Sequence, residues 1–177
     1  MYLSVSVTTR PRRPIEREGV DYIFVSDEEF DRMSAEGELL EWADVFGHRY
    51  GTPAGPIRQV LTTGRDALLE IDVQGARQVK GRMPDAVSIL LEPPSLHELE
   101  RRLRSRGTED EERLAARLAE AGRELEQREW FDHVVVNEEV EAASAEVAAI
   151  IGAFPQVSDH MANDHEAKDQ TEGPKHP

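Results

Sequence analysis

An arginine-rich loop near the start of the chain is the first segment whose residue types could do chemistry. Several of its side chains carry guanidinium groups on a proline-stiffened stretch, namely Arg10, Arg12, Arg13 and Arg17. Guanidinium groups form forked, charge-assisted hydrogen bonds to phosphate. Neighbouring hydroxyl groups can add donors, and they belong to Ser6, Thr8 and Thr9. The alternative is a solvated loop in which the arginines pair with Glu16 and Glu18, and the residues alone leave both interpretations open.

A second arginine cluster ends a predicted helix and leads into a charged stretch at residues 106–112. Its members are Arg101, Arg102, Arg104 and Arg106. Basic residues near a helix C-terminus are favoured by the helix macrodipole, which is a sufficient structural reason for the cluster. The functional alternative is a lid that carries these arginines, joined by Arg117, onto a polyphosphate during phosphoryl transfer.

Two carboxylates, Glu70 and Asp72, alternate at the C-terminal end of an apolar stretch. Ligands of open α/β sheets bind at that end of the strands. Carboxylates placed there can position a substrate or hold the water ligands of a magnesium ion. The structural alternative is that they cap the helix that follows.

Glu41 closes another predicted strand and is followed, after a short turn, by Tyr50 and Thr52. A carboxylate can accept two parallel hydrogen bonds from the N1–H and N2–H₂ edge of guanine, and adenine lacks that pair of donors. Glu41 would therefore discriminate between the purines, because the wrong base leaves buried polar groups unpaired. The alternative is an ordinary surface glutamate.

Periodicity and turn signals predict the elements that position these residues. Strands are predicted over residues 1–7, 22–25, 39–46, 67–71, 87–91 and 133–136. Helices are predicted to end near residues 36, 64, 83, 104, 129 and 151, with Ser26 and Ser95 as N-caps and Gly64 as a stop signal. Apolar strands that alternate with helices favour an α/β fold with a parallel sheet covered on both faces.

Composition limits the function classes. The 177 residues carry a formal net charge of −15, which disfavours nucleic acid and anionic membranes as partners. An anionic ligand must therefore be held by local arginines. The chain has no cysteine and no apolar run long enough to cross a membrane, so we expect a cytoplasmic protein. Residues 154–177 are acidic and poor in apolar side chains, and they are predicted to form a disordered tail.

Several motifs in register give the chain a specific resemblance to guanylate kinases over about residues 3–151. They are residues 4–10 (SVSVTTR), 19–22 (GVDY), 41–43 (EWA), 50–52 (YGT), 70–75 (EIDVQG), 93–95 (PPS), 106–108 (RGT) and 135–137 (VVN). The resemblance implies a P-loop kinase-like parallel sheet flanked by helices, in one domain over residues 1–153. It also implies a small β-rich GMP-binding lobe at about residues 8–60 and a helical lid at about residues 104–117.

The resemblance further implies a role for each candidate residue. The GMP phosphate would be bound by Ser6, Arg10, Arg13, Tyr22 and Tyr50. The guanine would be held by Glu41, Thr52 and Asp72, with Ser6 as an alternative neighbour. Glu70 would lie near magnesium and the phosphates, Asn137 near the adenine of ATP, and the lid and transfer arginines would be Arg102, Arg106 and Arg117. The implied reaction moves the γ-phosphoryl group of ATP onto GMP, with Mg²⁺ carried by ATP and water, in a monomer or homodimer.

One departure from the family pattern is large. Family members begin with a strand and the string G-x-x-G-x-G-K-[ST], and the sequence contains no such string. That P-loop supplies backbone N–H groups, a lysine and a hydroxyl to ATP and magnesium, so its loss would cost orders of magnitude in rate. The missing strand would be central, between the strands at 67–71 and 87–91. We therefore expect Met1 to be a misplaced start or a truncation, and the alternative is a catalytically inactive, guanylate kinase-like binding module.

Overall fold

The computed structural model of the protein describes residues 1–106 and 111–154, which form two compact units. The first unit comprises residues 1–78 and the second residues 79–154. The middle of the predicted lid and nearly all of the predicted tail, from residue 155 onward, lie outside the described residues.

The first unit contains six strands and three helices. The strands are β1 (Tyr2–Leu3), β2 (Val7–Thr8), β3 (Ile23–Phe24), β4 (Leu39–Val45), β5 (His48–Pro53) and β6 (Ala67–Leu68). The helices are α1 (Asp27–Ala35), α2 (Ala54–Thr62) and α3 (Val73–Arg82), the last of which continues past the unit boundary. Two sheets result: a four-stranded sheet in the order β3-β2-β5-β4, and a parallel pair of β1 with β6.

The core of the first unit lies between the four-stranded sheet and α1. Val7, Phe30 and Leu39 are buried there, and Phe30 is fully excluded from solvent. Three half-buried apolar side chains complete the cluster, namely Ile23, Val25 and Met33. This packing fixes α1 on β2 and β4, which are the strands that lead to the arginine loop and to Glu41.

Arg49, on β5, ties this strand to α1 next to the core residue Phe30. Its guanidinium group donates to Asp27 Oδ1 at 2.6 Å, also pairs with Asp31, and lies 4.8 Å from the centroid of the Phe30 ring. The hydrogen bonds that Arg49 donates to Asp27 and Asp31 raise the pKa of Arg49. Because α1 carries its acidic residues in its first turn, this arginine couples the charged helix N-terminus to the strand that bears Tyr50 and Thr52.

Strands β4 and β5 form a hairpin with a two-residue turn. Val45 is paired with His48, and the intervening Phe46 and Gly47 both have positive φ angles, of 53° and 76°. Two positive φ angles in a two-residue loop match the turn whose twist suits paired strands. In this register Glu41 lies opposite Thr52, after an irregularity between Leu39 and Glu41.

The helix signals read from the sequence are confirmed at three ends. Ser26 Oγ accepts from the backbone N–H of Glu29 at 3.2 Å, and Ser95 Oγ accepts from that of Glu98 at 3.1 Å. Gly64 follows the end of α2 with a φ of 71°. These hydrogen bonds satisfy N–H groups that a helix start leaves without partners, which explains why the caps were predictable.

The prediction of a single strand over residues 1–7 is wrong. Residues 2–3 pair in parallel with β6, whereas residues 7–8 belong to the four-stranded sheet, so the chain passes from one sheet to the other between them. Ser4 still donates its N–H to the Leu68 carbonyl oxygen at 2.9 Å, and the Ser6 carbonyl oxygen already accepts from Ile23 at 2.9 Å. The change of sheet therefore takes place within residues 4–6.

The second unit contains two strands and three further helices. They are β7 (Ile89–Glu92), α4 (Leu96–Arg106), α5 (Glu111–Leu125), β8 (His133–Val136) and α6 (Val140–Ala153). Strands β7 and β8 pair in parallel, and Val135 on β8 is fully buried. The helix predicted to reach residue 129 ends at Leu125 and is followed by a 3₁₀ turn at Arg128–Trp130.

An aspartate fastens the beginnings of β7 and β8. Asp132 Oδ2 accepts from Lys80 Nζ, the Ser88 backbone N–H and the Ser88 hydroxyl, each at 2.8 Å. Ser88 Oγ in turn accepts from the Asp132 N–H at 3.1 Å. These bonds hold the pKa of Asp132 at about 2, below its ordinary value of 3.8, with the Lys80 hydrogen bond as the largest cause.

Candidate nucleotide site

Arg10 lies at the centre of the first group of candidate residues. Its Nε donates to the Tyr50 hydroxyl at 3.1 Å, and its guanidinium carbon lies 5.4 Å from the centroid of the Tyr22 ring. The rings of Tyr22 and Tyr50 pack edge to face, in a T-shaped arrangement with their centroids 5.9 Å apart. Arg10 follows β2 by two residues, Tyr22 directly precedes β3, and Tyr50 lies in β5. Because β3, β2 and β5 are neighbours in the sheet, the sheet order brings these three sequence positions together.

Glu16 is a hydrogen-bonded partner of Arg10, and the functional interpretation of the arginine loop gave it no role. Its two carboxylate oxygens accept from the Arg10 guanidinium at 2.7 and 3.2 Å, and Oε2 also accepts from the Arg13 backbone N–H at 2.7 Å. The predicted ion pairing of the loop is thus confirmed for Glu16. Glu18 instead accepts from the Phe24 backbone N–H at 3.3 Å. Arg13 keeps a side chain that is 59% exposed and therefore accessible to an anion.

Mutual hydrogen bonds shift the protonation of this group. The hydrogen bond to Glu16 is the largest cause of the raised pKa of Arg10, and the bond from Arg10 is the largest cause of the lowered pKa of Glu16. Burial raises the pKa of Tyr22, and the Tyr50 and Glu70 charges raise it further. At neutral pH the group therefore presents a fixed guanidinium and a protonated phenol, which are both donors suited to a phosphate.

Glu41 is a buried carboxylate rather than a surface residue. It is 3% exposed, and its Oε1 accepts from the hydroxyl of Thr52, which is fully buried, at 2.6 Å. A buried carboxylate is retained only with hydrogen-bond partners, because desolvation penalises its charge. The hairpin register supplies that partner by placing Thr52 opposite Glu41.

The start of α3, with Asp72 just before it and Gly75 within it, lies next to the Glu41 carboxylate. Asp72 Oδ1 accepts from the Gly75 backbone N–H at 2.8 Å, so Asp72 does cap α3, as the structural alternative predicted. The Gln78 side chain bonds the Trp42 backbone at both its N–H and its carbonyl oxygen, at 3.2 and 2.6 Å. The carboxylates of Glu41 and Asp72 both lie beside Gly75, and Thr52 bonds to Glu41, so the three predicted guanine residues lie close together.

The remaining candidates of the first unit lie near these groups. Glu70 is exposed, and its charge acts on Tyr22. Ser6 is half-buried directly before β2, where its carbonyl oxygen bonds to Ile23. In the chain, Glu70 lies two residues after β6 and Ser6 lies one residue before β2.

In the second unit, Arg102 binds the loop after β8. Its Nε donates to Glu98 at 2.7 Å, and its two terminal nitrogens donate to the carbonyl oxygens of Asn137 and Glu138, each at 2.9 Å. The Asn137 side-chain oxygen is buried and has no hydrogen-bond partner in the described part of the chain. Arg102 thus orders the segment that carries a buried, unsatisfied acceptor.

The other lid candidates are less fully described. Arg106 ends α4, and its side chain lies outside the described residues. Arg117 is half-buried on α5. The neighbouring Arg101 and Arg104 pair locally with Glu98 and Glu100, at 2.7 and 3.0 Å.

The protein has parallel strand pairs flanked by helices and a small mixed sheet that carries a fixed arginine and a buried carboxylate. These features define an α/β protein whose polar groups suit a purine nucleotide. The family model described as guanylate kinase matches residues 1–154. The chain is 53% identical over 153 residues to the guanylate kinase of Thermobifida fusca (strain YX), covering 86% of this chain and 78% of that protein. It is 52% identical over 150 residues to the guanylate kinase of Streptomyces coelicolor, covering 85% and 76%.

A solved structure is similar as well. The crystal structure of guanylate kinase from Anaplasma phagocytophilum matches with a TM-score of 0.75 at 41% identity, covering 85% of this chain and 74% of that chain. The chain belongs to the guanylate kinase family and has its α/β, P-loop kinase fold. Guanylate kinases are nucleoside monophosphate kinases, which are transferases. None of the described helices is long and apolar enough to span a membrane.

Proposed function

We propose that this chain binds GMP through its first unit and serves as a guanylate kinase, moving the γ-phosphoryl group of ATP onto GMP to give GDP and ADP. The observation that carries the proposal is the buried Glu41 carboxylate, joined to Thr52 and close to Asp72. Such a carboxylate matches the paired donors of guanine and has no equivalent use in a surface scaffold. Family membership supplies the reaction class.

The phosphate of GMP would be received by the group around Arg10. Arg10, Tyr22 and Tyr50 offer donors at or beside three adjacent strands, and the exposed Arg13 adds a second cation. Binding at these donors would fix the phosphate oxygen that attacks ATP. Positioning and charge neutralisation provide most of the rate enhancement in phosphoryl transfer, and no covalent enzyme intermediate is needed.

The second unit would contribute the ATP side. The unsatisfied side-chain oxygen of Asn137 can accept a hydrogen bond from the amino group of adenine. We assign Arg102 to ordering that loop, and Arg106 and Arg117 to neutralising charge on the transferred group. Magnesium would be held by ATP phosphates and water, with Glu70 nearby. Bound there, Mg²⁺ would neutralise phosphate charge.

The first test measures binding, because GMP recognition does not require the P-loop string that the sequence lacks. Calorimetric titration of the chain with GMP and with AMP should give much tighter binding of GMP. Glu41→Gln should weaken GMP binding about 100-fold, because it replaces an acceptor by a donor, and should leave AMP binding unchanged. Glu28→Gln, at an exposed position on α1, is the matched control. Equal binding of the two nucleotides by the wild-type chain would refute the proposed site.

The second test separates the enzyme from an inactive binding module. ADP release from Mg-ATP is measured with and without GMP, using the chain as written. GMP-dependent release supports the kinase. GMP binding with no release contradicts kinase activity of the chain as written, is compatible with a guanylate kinase-like binding module, and leaves the family assignment standing.

A further inference from the structure

Gly75 lies directly against the buried carboxylate of Glu41. It is itself buried at the start of α3. A Cβ atom added to Gly75 would clash with Glu41 Oε2, would lie 3.0 Å from Glu41 Cδ, and would lie 3.3 Å from Asp72 Oδ1. A single methyl group at this position would therefore collide with one proposed guanine-binding carboxylate and crowd another.

The need for glycine here comes from space and not from backbone conformation. Gly75 is absent from the positions with positive φ, so its backbone suits any residue. Gly81, in the same helix, would meet nothing within 4 Å if a Cβ were added. Alanine favours a helix more than glycine does, so the sequence retains a helix-weakening residue at 75 for which the Glu41 contact is a sufficient cause.

Glu41 has little freedom to move away from an added methyl group. Its Oε1 is bonded to a fully buried hydroxyl, and the backbone of the next residue, Trp42, is held by Gln78 at both polar atoms. Gln78 and Gly75 lie on the same helix, so α3 fixes both the strand that bears Glu41 and the surface that Glu41 touches. Displacement of the carboxylate would break the bond to Thr52.

We propose that Gly75 is a specificity-determining residue: its missing side chain leaves the room in which the Glu41 carboxylate is held for guanine recognition. This inference rests on the proposed function, since it assigns a role within the proposed GMP site. Gly75 makes no hydrogen bond to the base in this proposal. It acts through the position of Glu41.

The test compares Gly75→Ala with Gly81→Ala in the full chain. Gly75→Ala should weaken GMP binding about 100-fold, because the displaced carboxylate loses paired hydrogen bonds to the base, and should leave AMP binding within about twofold. Gly81→Ala should leave GMP binding unchanged. If wild type and Gly81→Ala both bind GMP and Gly75→Ala binds it equally well, the inference is wrong while the proposed function stands. If wild type does not bind GMP, both fall.

A shortened carboxylate tests the steric cause. Glu41→Asp removes one methylene group and should weaken GMP binding in the wild-type background. In the Gly75→Ala background the same change should weaken binding no further, or restore part of it, because it relieves the clash. Thermal unfolding provides a second readout: a midpoint lowered by Gly75→Ala should recover in the double variant. Equal effects of Glu41→Asp in both backgrounds, with no recovery of the midpoint, would overturn the inference.

Discussion

Asp132→Asn should lower stability at neutral pH and remove part of the loss of stability in acid. The side chain accepts three hydrogen bonds, from Lys80 and from two groups of Ser88, and these fasten the starts of β7 and β8. The opposite ends of the same strands carry Glu92 and lead to Asn137. The Asp132 cluster therefore supports the strand pair on which the proposed adenine contact depends.

The magnitude follows from the lowered pKa. A change from 3.8 to about 2 corresponds to about 2.4 kcal/mol at about 1.36 kcal/mol for each pH unit. The Asp132 side chain is 39% exposed, and solvent screening reduces such figures, so we expect about 1 kcal/mol. Because the folded pKa lies below the unfolded value, this stabilisation is complete above pH 3.8 and is lost as the pH falls toward about 2.

Urea unfolding at a series of pH values measures this difference. Wild type should exceed Asp132→Asn by about 1 kcal/mol at pH 7, and the two should converge as the pH falls from about 4 to about 2. Asp85→Asn, at an exposed position between α3 and β7, is the control and should follow wild type throughout. A gap between wild type and Asp132→Asn that stays constant down to about pH 2 would refute the reasoning, because the loss would then be unrelated to the carboxylate charge.

Three further substitutions test the proposed sites. Thr52→Val keeps the shape but removes the donor to Glu41, and should lower the free energy of unfolding by about 2 kcal/mol while weakening GMP binding. Tyr50→Phe removes the hydroxyl bonded to Arg10, and should weaken binding of GMP about 10-fold but leave guanosine, which has no phosphate, unaffected. Arg102→Lys cannot span the two carbonyl oxygens after β8, and should cost about 1–2 kcal/mol of stability in urea unfolding.

Each of these has a control and a contradicting result. Thr62→Val, at an exposed position, should leave GMP binding unchanged, and an equally small effect of Thr52→Val would contradict the buried pair. Equal losses of GMP and guanosine binding in Tyr50→Phe would remove Tyr50 from the phosphate group. Arg101→Lys, which alters only a local pair with Glu98, should be nearly neutral, and a similar neutrality of Arg102→Lys would show that the loop is ordered by other contacts.

Local signals made much of the fold predictable from the sequence. The hairpin at 39–53 was not predicted, since no strand was expected at His48–Pro53. The caps at Ser26 and Ser95, by contrast, act through bonds to residues three positions later. Such contacts depend only on near neighbours in the chain. The strand at 1–7 was mispredicted because its alternating pattern is equally compatible with one sheet or two, and the choice depends on distant partners at 23, 51 and 67.

The sequence named the residues of the candidate site but not the contacts between them. Residue type and order identified Glu41 and Asp72, whereas the burial of Glu41 depends on Thr52 and α3. Glu16 could be named as an ion-pair partner but not preferred over Glu18, since both lie close to the arginines in sequence. The signal for Gly75 was weaker still, because a glycine in a helix carries no mark of the side chain for which it makes room.

The two-residue turn at Phe46 and Gly47 has a consequence for ligand choice at a distance. Side chains alternate between the faces of a sheet, so a turn longer by one residue would send Thr52 to the opposite face from Glu41. The Glu41 carboxylate would then be buried without the Thr52 hydroxyl as its donor, although Glu41, Thr52 and Asp72 would all be unchanged. The length of this exposed loop thus sets the pairing of Glu41 with Thr52, and we expect an insertion that shifts the register to alter the proposed preference for guanine.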